Sequence, residues 1–410
     1  HPGLENGTWH ADLWGSRMSK YQSAVEATRA SVQWVQVQPA TPDWLLKPQN
    51  ADLARQYREL WSIPAVFSPL GDPAPGIVTT QDEFAISFTA GDAQDKVRAL
   101  VATTNELEAR GLFRLCSQSQ WSYARAKAEL PKIDLKKSTV KLTYRPFDDR
   151  WTIWDRNVAV HRRERVMRHM LRKNIGLIFV RQIAHAAQDV SVYALATSNV
   201  IDNRVFLSNK GIAYIAPLRL ADDGDSPENL SSEFRAFIDA RYEHHYTPEE
   251  IFGYIYAVLH APSYRARYAD FLRTDFPRVP FPESAENFET LSELGWELVQ
   301  AHLLHELPRK GLATYPVKGD HAVEAVRYSR DEQAIWINKA QFLKPVPESV
   351  WMFHVGGYQV LDKYLKSRKG RKLSLDEINH FGVVADCLAF TIDQMGKINA
   401  AYQAAFPDQG

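Results

Sequence analysis

The spacing of hydrophobic side chains changes along the chain and separates a helical part from strand-rich parts. Between residues 93 and 130, apolar positions such as Val97, Leu100 and Val101 recur at the spacing of a helix face. After Pro131 the apolar runs are short and lie between turn residues, which is typical of strands. These runs are Val140–Tyr144, Trp151–Trp154, Ile175–Val180, Val192–Leu195, Val205–Leu207 and Ile212–Ile215. The first two flank residues 146–149, where Pro and two Asp predict the turn of a hairpin.

A second helical pattern interrupts the strands between about residues 228 and 310. Thr247 is a favourable N-cap, Pro248 suits the first helical position, and two acidic residues follow in the first turn. The segment Leu291–His305 has the periodicity of another amphipathic helix. We therefore expect a helical insertion within the strand-rich part.

The last part of the chain predicts further strands and then helices. Val323–Tyr328 and Ala334–Ile337 have the character of strands, and Ser374 with Glu377 forms a capping box. We expect that box to begin a pair of helices that extends through Tyr402. The sequence thus predicts an α+β fold, with mixed sheet segments interrupted by a helical insertion and closed by C-terminal helices.

Composition narrows the class of protein. The 410 residues allow two or three domains, and 45% hydrophobic residues are enough to bury a large core. Lys and Arg together number 49, as do Asp and Glu, so a nucleic-acid site would be one basic face balanced by an acidic one. The only cysteines, Cys116 and Cys387, form no paired motif, which indicates a cytoplasmic protein. No apolar run is long enough for a membrane span.

No motif in the sequence predicts catalysis. The Gly-x-x-x-x-Gly-Lys phosphate loop and the Gly-x-Ser-x-Gly nucleophile elbow are both absent. Gly356 and Gly357 lack the third glycine of a dinucleotide or methyl-donor turn. His302 and His305 lie three residues apart without a suitable third ligand, so we predict no metal site. The chain also begins with His1 and not Met, and we expect a piece of a longer polypeptide whose other parts hold the chemistry.

Two segments rich in basic residues are the candidates for nucleic-acid binding. The first, residues 162–173, predicts a helix with Val166, Met167, Met170 and Leu171 facing the core. Its basic side chains would lie on or near the other side, where guanidinium groups match phosphate oxygens and guanine edges. The arginines of this segment are Arg162, Arg163, Arg165, Arg168 and Arg172. A solvated helix face is the alternative, and it stays open.

The second basic segment is a loop around Gly370, with Lys366, Arg368, Lys369, Arg371 and Lys372. Polar pairs also follow predicted strands, at Arg181–Gln182 and at Asn209–Lys210. Gln and Asn side chains can pair with adenine, and Arg with guanine. Ordinary loop and turn residues have the same composition, so this alternative also stays open.

Short motifs in a fixed order resemble the Type ISP restriction–modification enzymes. They are His10–Tyr21, Gly76–Phe84, Tyr144–Arg150, Val166–Met170, Ser208–Lys210, Thr247–Phe252, Asp275–Pro280, Gly356–Leu361 and Ser374–Ile378. The resemblance covers nearly the whole chain. It implies a single polypeptide with nuclease, helicase-like ATPase, adenine methyltransferase and target-recognition parts. Only the tail of the methyltransferase region and the target-recognition part find a match here. The Asn-Pro-Pro-Tyr motif that binds the flipped adenine is absent.

The resemblance implies a division of the chain. Residues 1–135 would be the tail of the methyltransferase region with a helical spacer, and residues 136–410 the target-recognition domain, with its helical insertion at about 228–310. S-adenosylmethionine, ATP and Mg²⁺ are implied only for upstream domains, and no cofactor for this chain. A role in phage defence follows from the same resemblance. Tyr144–Arg150 is expected to be mainly a structural hairpin, with Arg145 and Arg150 able to reach phosphate.

These observations favour sequence-specific recognition of double-stranded DNA without catalysis. The chain would position a target adenine for the upstream N6-adenine methyltransferase, with phosphate contacts from the basic segments setting the register. The alternative is a structural or protein-interaction module that does not bind DNA by itself. Near-zero net charge and the 11 Trp residues favour that alternative.

Overall fold

The computed structural model describes residues 6–28, 30–39, 44–48, 50–67, 73–183, 192–207, 211–221 and 227–407. The chain divides into two compact units, residues 1–59 and residues 60–410. Helices account for 44% and strands for 17% of the structure, and several small mixed sheets are present. The predicted α+β class is confirmed.

The described residues of the first unit form two strands and two helices. They are β1 (Thr8–His10), α1 (Arg17–Glu26), β2 (Val35–Val37) and α2 (Ala51–Glu59). β1 and β2 pair antiparallel, with Trp9 opposite Gln36. The Ser16 side chain begins α1 by accepting a hydrogen bond from the backbone N–H of Ser19 at 3.2 Å.

The second unit contains the other elements. Its strands are β3 (Trp61–Ser62), β4 (Ala74–Pro75), β5 (Thr139–Arg145), β6 (Asp148–Ile153), β7 (Gly176–Val180), β8 (Ala194–Thr197), β9 (Val200–Ile201), β10 (Ala213–Pro217), β11 (Arg278–Val279), β12 (Arg327–Ser329), β13 (Ala334–Trp336), β14 (Phe342–Leu343), β15 (His354–Val355) and β16 (Tyr358–Gln359). Its helices are α3 (Ile63–Val66), α4 (Asp82–Ala85), α5 (Ala90–Ala102), α6 (Glu106–Phe113), α7 (Tyr123–Glu129), α8 (Leu135–Ser138), α9 (Glu164–Met167), α10 (Ser232–Tyr242), α11 (Pro248–His260), α12 (Pro262–Arg267), α13 (Ala269–Leu272), α14 (Ala285–His302), α15 (Glu348–Trp351), α16 (Val360–Lys366) and α17 (Leu375–Ala405). Short 3₁₀ turns follow α7 at Leu130–Lys132 and α9 at Arg168–Met170.

The largest sheet has four strands in the order β4-β10-β7-β8, all paired antiparallel. Every residue of β7 is buried, in agreement with its unbroken apolar run. A second sheet, β6-β5-β9, is built on the predicted hairpin, with Thr139 opposite Ile153. β9 joins β5 in parallel. Smaller sheets are β12-β13-β14, β11-β3 and β15-β16.

Helices α10 to α14 form the predicted insertion. The Thr247 side chain and Glu250 make a capping box at the start of α11. α11 and α14 cross at two glycines, where a Cβ atom on Gly295 would lie 1.9 Å from the Gly253 carbonyl oxygen. Because only glycine fits so close an approach, this crossing fixes the two helices against each other.

A buried hydrogen-bond network joins β8 to three helices around His302. The Thr391 hydroxyl donates to the Cys387 carbonyl at 2.8 Å, so its oxygen accepts from His302 Nε2 at 2.9 Å. His302 Nδ1 therefore accepts from the Tyr256 hydroxyl, whose oxygen accepts from the Ala196 N–H at 3.1 Å. Burial lowers the pKa of His302 to about 3. The network thus holds this ring neutral and fixes the last turn of α14.

Several expectations about secondary structure are wrong. Val205–Leu207 forms a turn, and Val205 and Phe206 are buried in it, so their apolar pattern reflects burial and not strand pairing. The terminal helix pair is one helix, α17, of 31 residues. It continues through Gly382 because buried residues line most of its length, and tertiary packing outweighs local propensity.

The predicted division at residue 135 falls inside one compact unit. Residues 60–135 and 136–410 both belong to the second unit, and α5 packs against both strands of the hairpin. The division stays a prediction about the origin and role of the two parts.

Candidate nucleic-acid interface

The first basic segment (residues 162–173) is more irregular than predicted. It forms α9 and the 3₁₀ turn at Arg168–Met170 in place of one long helix. Val166, Met167 and Met170 are buried, as expected, whereas Leu171 is 40% exposed. The backbone of Arg163 lies in the left-handed region with a φ of 53°, and no side chain caps α9. The apolar side of the segment therefore anchors it without a regular helix.

Most arginines of the first basic segment face solvent. Those classed as exposed are Arg163, Arg165, Arg168 and Arg172. Arg162 is half-buried, pairs with Glu164 at 2.8 Å, and lies over the Trp154 ring. Among the described residues, the Arg163 side chain has no hydrogen-bond or ion-pair partner. The segment is arranged to place guanidinium groups in water, and its role in DNA contact stays a prediction.

The start of β6 carries a buried ionic cluster, which we call the Asp148 cluster (Asp148, Arg150, Arg368 and Glu377). Arg150 binds both carboxylate oxygens of Asp148, at 2.9 and 2.6 Å. Arg368 Nη2 lies 2.9 Å from Asp148, and its Nε lies 2.9 Å from Glu377. Burial alone would raise the pKa of Asp148, but the two guanidiniums hold the pKa of that carboxyl below its ordinary value.

The Asp148 cluster corrects two predictions. Arg150 and Arg368 are only 5% and 3% exposed, and carboxylates and aromatic rings enclose their guanidiniums. In this arrangement neither side chain can reach a phosphate. Their role is to join the β5–β6 hairpin to the segment between α16 and α17.

Arg145 is corrected for the same reason. Its side chain is buried, binds Asp202 at 2.8 Å, and stacks on the Tyr144 ring with 3.7 Å to the centroid. Burial raises the pKa of Asp202 to about 6, although the neighbouring Arg145 opposes that rise. The pair holds the end of β5 against the loop after β9 and does not face solvent.

The side chains of the second basic segment differ in exposure and in ion pairing. Lys366, Lys369 and Lys372 are exposed, and Arg371 is half-buried. Lys366 pairs with Asp362 at 2.9 Å, and Lys372 pairs with Asp320 at 3.6 Å. Arg371 lies over the Phe88 ring and binds Glu377 at 3.2 Å. Of the described side chains in this segment, Lys369 is exposed and has no partner.

The structure describes only one of the two polar pairs that follow predicted strands. Arg181 and Gln182 follow β7 and are exposed, and they bind Asp275 at 3.0 Å and the Thr274 carbonyl at 3.0 Å. Asn209 and Lys210 lie outside the described residues. DNA contact by Arg181 and Gln182 stays a prediction, since both side chains are at the surface.

The β5–β6 hairpin contacts both basic segments and so fixes their positions. The Asp148 cluster at the start of β6 holds Arg368 of the second segment, and Trp154, just after β6, lies under Arg162 of the first. The six residues of β6 span about 20 Å at the usual rise of ~3.3 Å per residue. That length is comparable to about six base-pair steps of a duplex at ~3.4 Å each.

A groove of about 750 Å³ lies at the opposite end of β7 from Arg181. The segment before β7, the loops after β8 and β10, and the ends of α11 and α14 surround it. Ser198, Gln300 and His305 are among its lining residues, and of these only His305 stood out in the sequence, as a possible metal ligand. No local sequence pattern indicates the groove, because these residues come together only through packing of the insertion on the sheet.

The described residues contain no group of three or more His, Cys, Asp or Glu side chains that could hold a metal ion. Likewise, no helix in the described ranges is both long and apolar enough to cross a membrane.

The fold is shared with solved structures of proteins bound to DNA. A cryo-EM structure of a DrdV–DNA complex matches with a TM-score of 0.70 and 19% identity, covering 93% of this chain and 42% of that one. A nuclease-deletion mutant of the Type ISP restriction–modification enzyme LlaGI, in complex with a DNA substrate mimic, matches with a TM-score of 0.66 and 16% identity, covering 94% and 32%. The ATP-dependent Type ISP enzyme LlaBIII bound to DNA matches with a TM-score of 0.68 and 15% identity, covering 93% and 27%. This chain therefore spans less than half the length of each of these relatives.

A family model defines the class of this chain as a specificity domain. The family model of the Type ISP C-terminal specificity domain matches residues 71–388, and the chain belongs to that family. A search of curated proteins found no match. The resemblance read from the sequence motifs is confirmed.

Proposed function

We propose that this chain recognises a short sequence in double-stranded DNA as the specificity part of a longer Type ISP restriction–modification polypeptide. Membership in the specificity-domain family over residues 71–388 carries the proposal. In it, the chain has no catalytic activity and positions a target adenine for an N6-adenine methyltransferase in another part of the same cytoplasmic polypeptide. S-adenosylmethionine, ATP and Mg²⁺ are then used by those other parts.

The distribution of charge supports DNA contact by the two basic segments. The exposed cations Arg163 and Lys369 belong to different segments and lack protein partners in the described part of the chain. Each is available to neutralise a phosphate and release its counterions. The hairpin fixes the distance between the segments, so their phosphate contacts would set the register of the duplex.

Selection from a randomised duplex library tests this proposal. We expect the chain to bind at about 50 mM salt, to enrich a short sequence, and to bind far more weakly at about 200 mM salt. Arg163→Ala and Lys369→Ala should each make the slope of log K against log salt shallower by about 0.9, with the enriched sequence unchanged. Lys310→Ala is the matched control, because Lys310 is a surface lysine already paired with Asp393.

Two outcomes would argue against the proposal. Absence of binding at the lower salt would favour the alternative, a module that only docks on other proteins. Binding in which Lys310→Ala reduces the salt slope as much as Arg163→Ala would mean that the basic segments have no special role.

A further inference from the structure

The groove at the end of β7 is lined by residues next to the strands of the largest sheet and by residues of the helical insertion. Lys173 ends the first basic segment and lines one side, Ser198 lies in the loop after β8, and Gln300 and His305 lie at the end of α14. Asn199, next to Ser198, donates to Asp149 of the β5–β6 hairpin at 2.8 Å. This hydrogen bond links the loop that lines one side of the groove to the hairpin that also contacts both basic segments.

Part of the groove lining is fixed by internal bonds. The Arg219 guanidinium binds both carboxylate oxygens of Glu249 at 2.8 and 3.0 Å. The Asn174 amide donates to the carbonyls of His169 and Arg219 at 2.9 and 2.8 Å, and its oxygen accepts from the Ile175 N–H at 2.9 Å. These internal bonds hold the side chains in place, so they form a fixed base for the groove.

Four other side chains in the groove are available to a ligand. Among the described residues, the side chains of Lys173, Ser198, Gln300 and His305 have no hydrogen-bond or ion-pair partner. Together they offer an ammonium group, a hydroxyl, an amide and an imidazole. An ammonium suits phosphate, and the other three groups suit base edges. The groove thus combines a base of internally bonded side chains with polar side chains that remain available to a ligand.

Gln300 is the best placed of these groups to distinguish bases. It lies in the last turn of α14, which the His302 network holds against α11 and α17, and its carbonyl accepts from the His305 N–H at 3.0 Å. Its neighbours Val299 and Ala301 are buried, so its Cα position is fixed. A primary amide can donate and accept at once, which matches N6 and N7 of adenine.

We propose that this groove is the base-reading part of the DNA surface, with Gln300 as a specificity-determining residue for adenine and Lys173 as the accompanying phosphate contact. This inference rests on the proposed function. Seating one sugar–phosphate strand of the duplex in the groove places the side chains beside it over base edges. The helical insertion then contributes directly to recognition and is not only a support for the sheet.

The test uses the same randomised library with the full chain and substitutions at Gln300. Gln300→Ala is expected to lose discrimination at one position of the enriched sequence by roughly 5- to 150-fold, with the other positions unchanged. Gln300→Arg should move the preference at that position from adenine to guanine. Lys173→Ala should weaken all sequences alike and make the salt slope shallower by about 0.9. Gln118→Ala, at an exposed glutamine outside the groove, is the matched control.

The outcomes separate this inference from the proposed function. If the wild-type chain enriches a sequence and Gln300→Ala enriches the same one with equal stringency, base reading by Gln300 is wrong and the proposed function stands. If the wild-type chain enriches no sequence, both fail. Unchanged thermal unfolding of Gln300→Ala will show that a lost preference does not arise from a lost fold.

Discussion

Arginine serves opposite purposes in the Asp148 cluster and in the first basic segment. In the cluster, two guanidiniums face two carboxylates, so their formal charges cancel and the group adds little to the field outside the protein. In the segment, the Arg163 side chain remains in water with no partner in the described structure. The difference teaches that the carboxylates around an arginine, more than the local density of basic residues, decide whether it can act on a polyanion.

The largest expected effect comes from opening the cluster. Arg368→Ala leaves Asp148 with one guanidinium and Glu377 with a half-buried, less compensated charge, and we expect a loss of about 3 kcal/mol or more in the free energy of unfolding. Urea denaturation at neutral pH measures it. Lys369→Ala, at the next residue, is the control. A loss below about 1 kcal/mol for Arg368→Ala would show that the cluster is open to water.

The next largest expected effect is a pH dependence of stability, which arises from buried histidines that remain uncharged in the folded chain. The pKa of His302 is about 3 in the folded chain, against about 6.5 when unfolded, so between these values the unfolded chain binds a proton that the folded chain does not. Stability should therefore fall as the pH drops below about 6.5, by up to about 1.4 kcal/mol per pH unit from this residue. His260, whose pKa burial also lowers, adds to the fall.

His302→Gln sharpens this prediction, since it removes the titrating ring from the same site. Urea denaturation at several pH values between about 4 and 7 should give a shallower dependence of stability on pH for the variant than for the parent chain. An identical dependence would mean that His302 takes up a proton in the folded state. Loss of the His302 hydrogen bonds lowers the stability of the variant at every pH. It therefore does not affect the comparison of how steeply stability depends on pH.

The smallest expected effect on stability comes from an exposed arginine of the first basic segment. Arg163→Ala should change the free energy of unfolding by no more than about 0.5 kcal/mol, because the side chain makes no ion pair or hydrogen bond within the described structure. Its effect on DNA binding, in contrast, should be measurable as the change in salt slope. A loss of stability near that of Arg368→Ala would remove the distinction between the two regions.

Local signals explain which parts of the fold could be predicted. The β5–β6 hairpin, the buried strand β7 and the start of α11 each depend on periodicity or capping within a few residues, and the structure contains all three. The turn at Val205–Leu207 and the single helix α17 depend on distant packing, and there the local pattern was misleading.

The candidate site shows the same limit more strongly. Arg368 belongs to a run of basic residues that predicts a solvated loop, yet its partner Asp148 lies 220 residues earlier in the chain. No short motif contains both residues. The groove around Gln300 likewise depends on a helix end meeting the loop that holds Ser198. In contrast, the family could be recognised, because that required only the order of short motifs along the chain.

The long separation within the Asp148 cluster has a consequence for synthesis on the ribosome. At about 5–20 residues per second, the ribosome needs roughly 10 to 45 s to add the 220 residues between Asp148 and Arg368. During that interval Asp148 has only Arg150 beside it, and full burial of its carboxylate must wait. We therefore expect a nascent chain that stops short of residue 368 to keep the turn of its β5–β6 hairpin in water, accessible to chaperones and proteases.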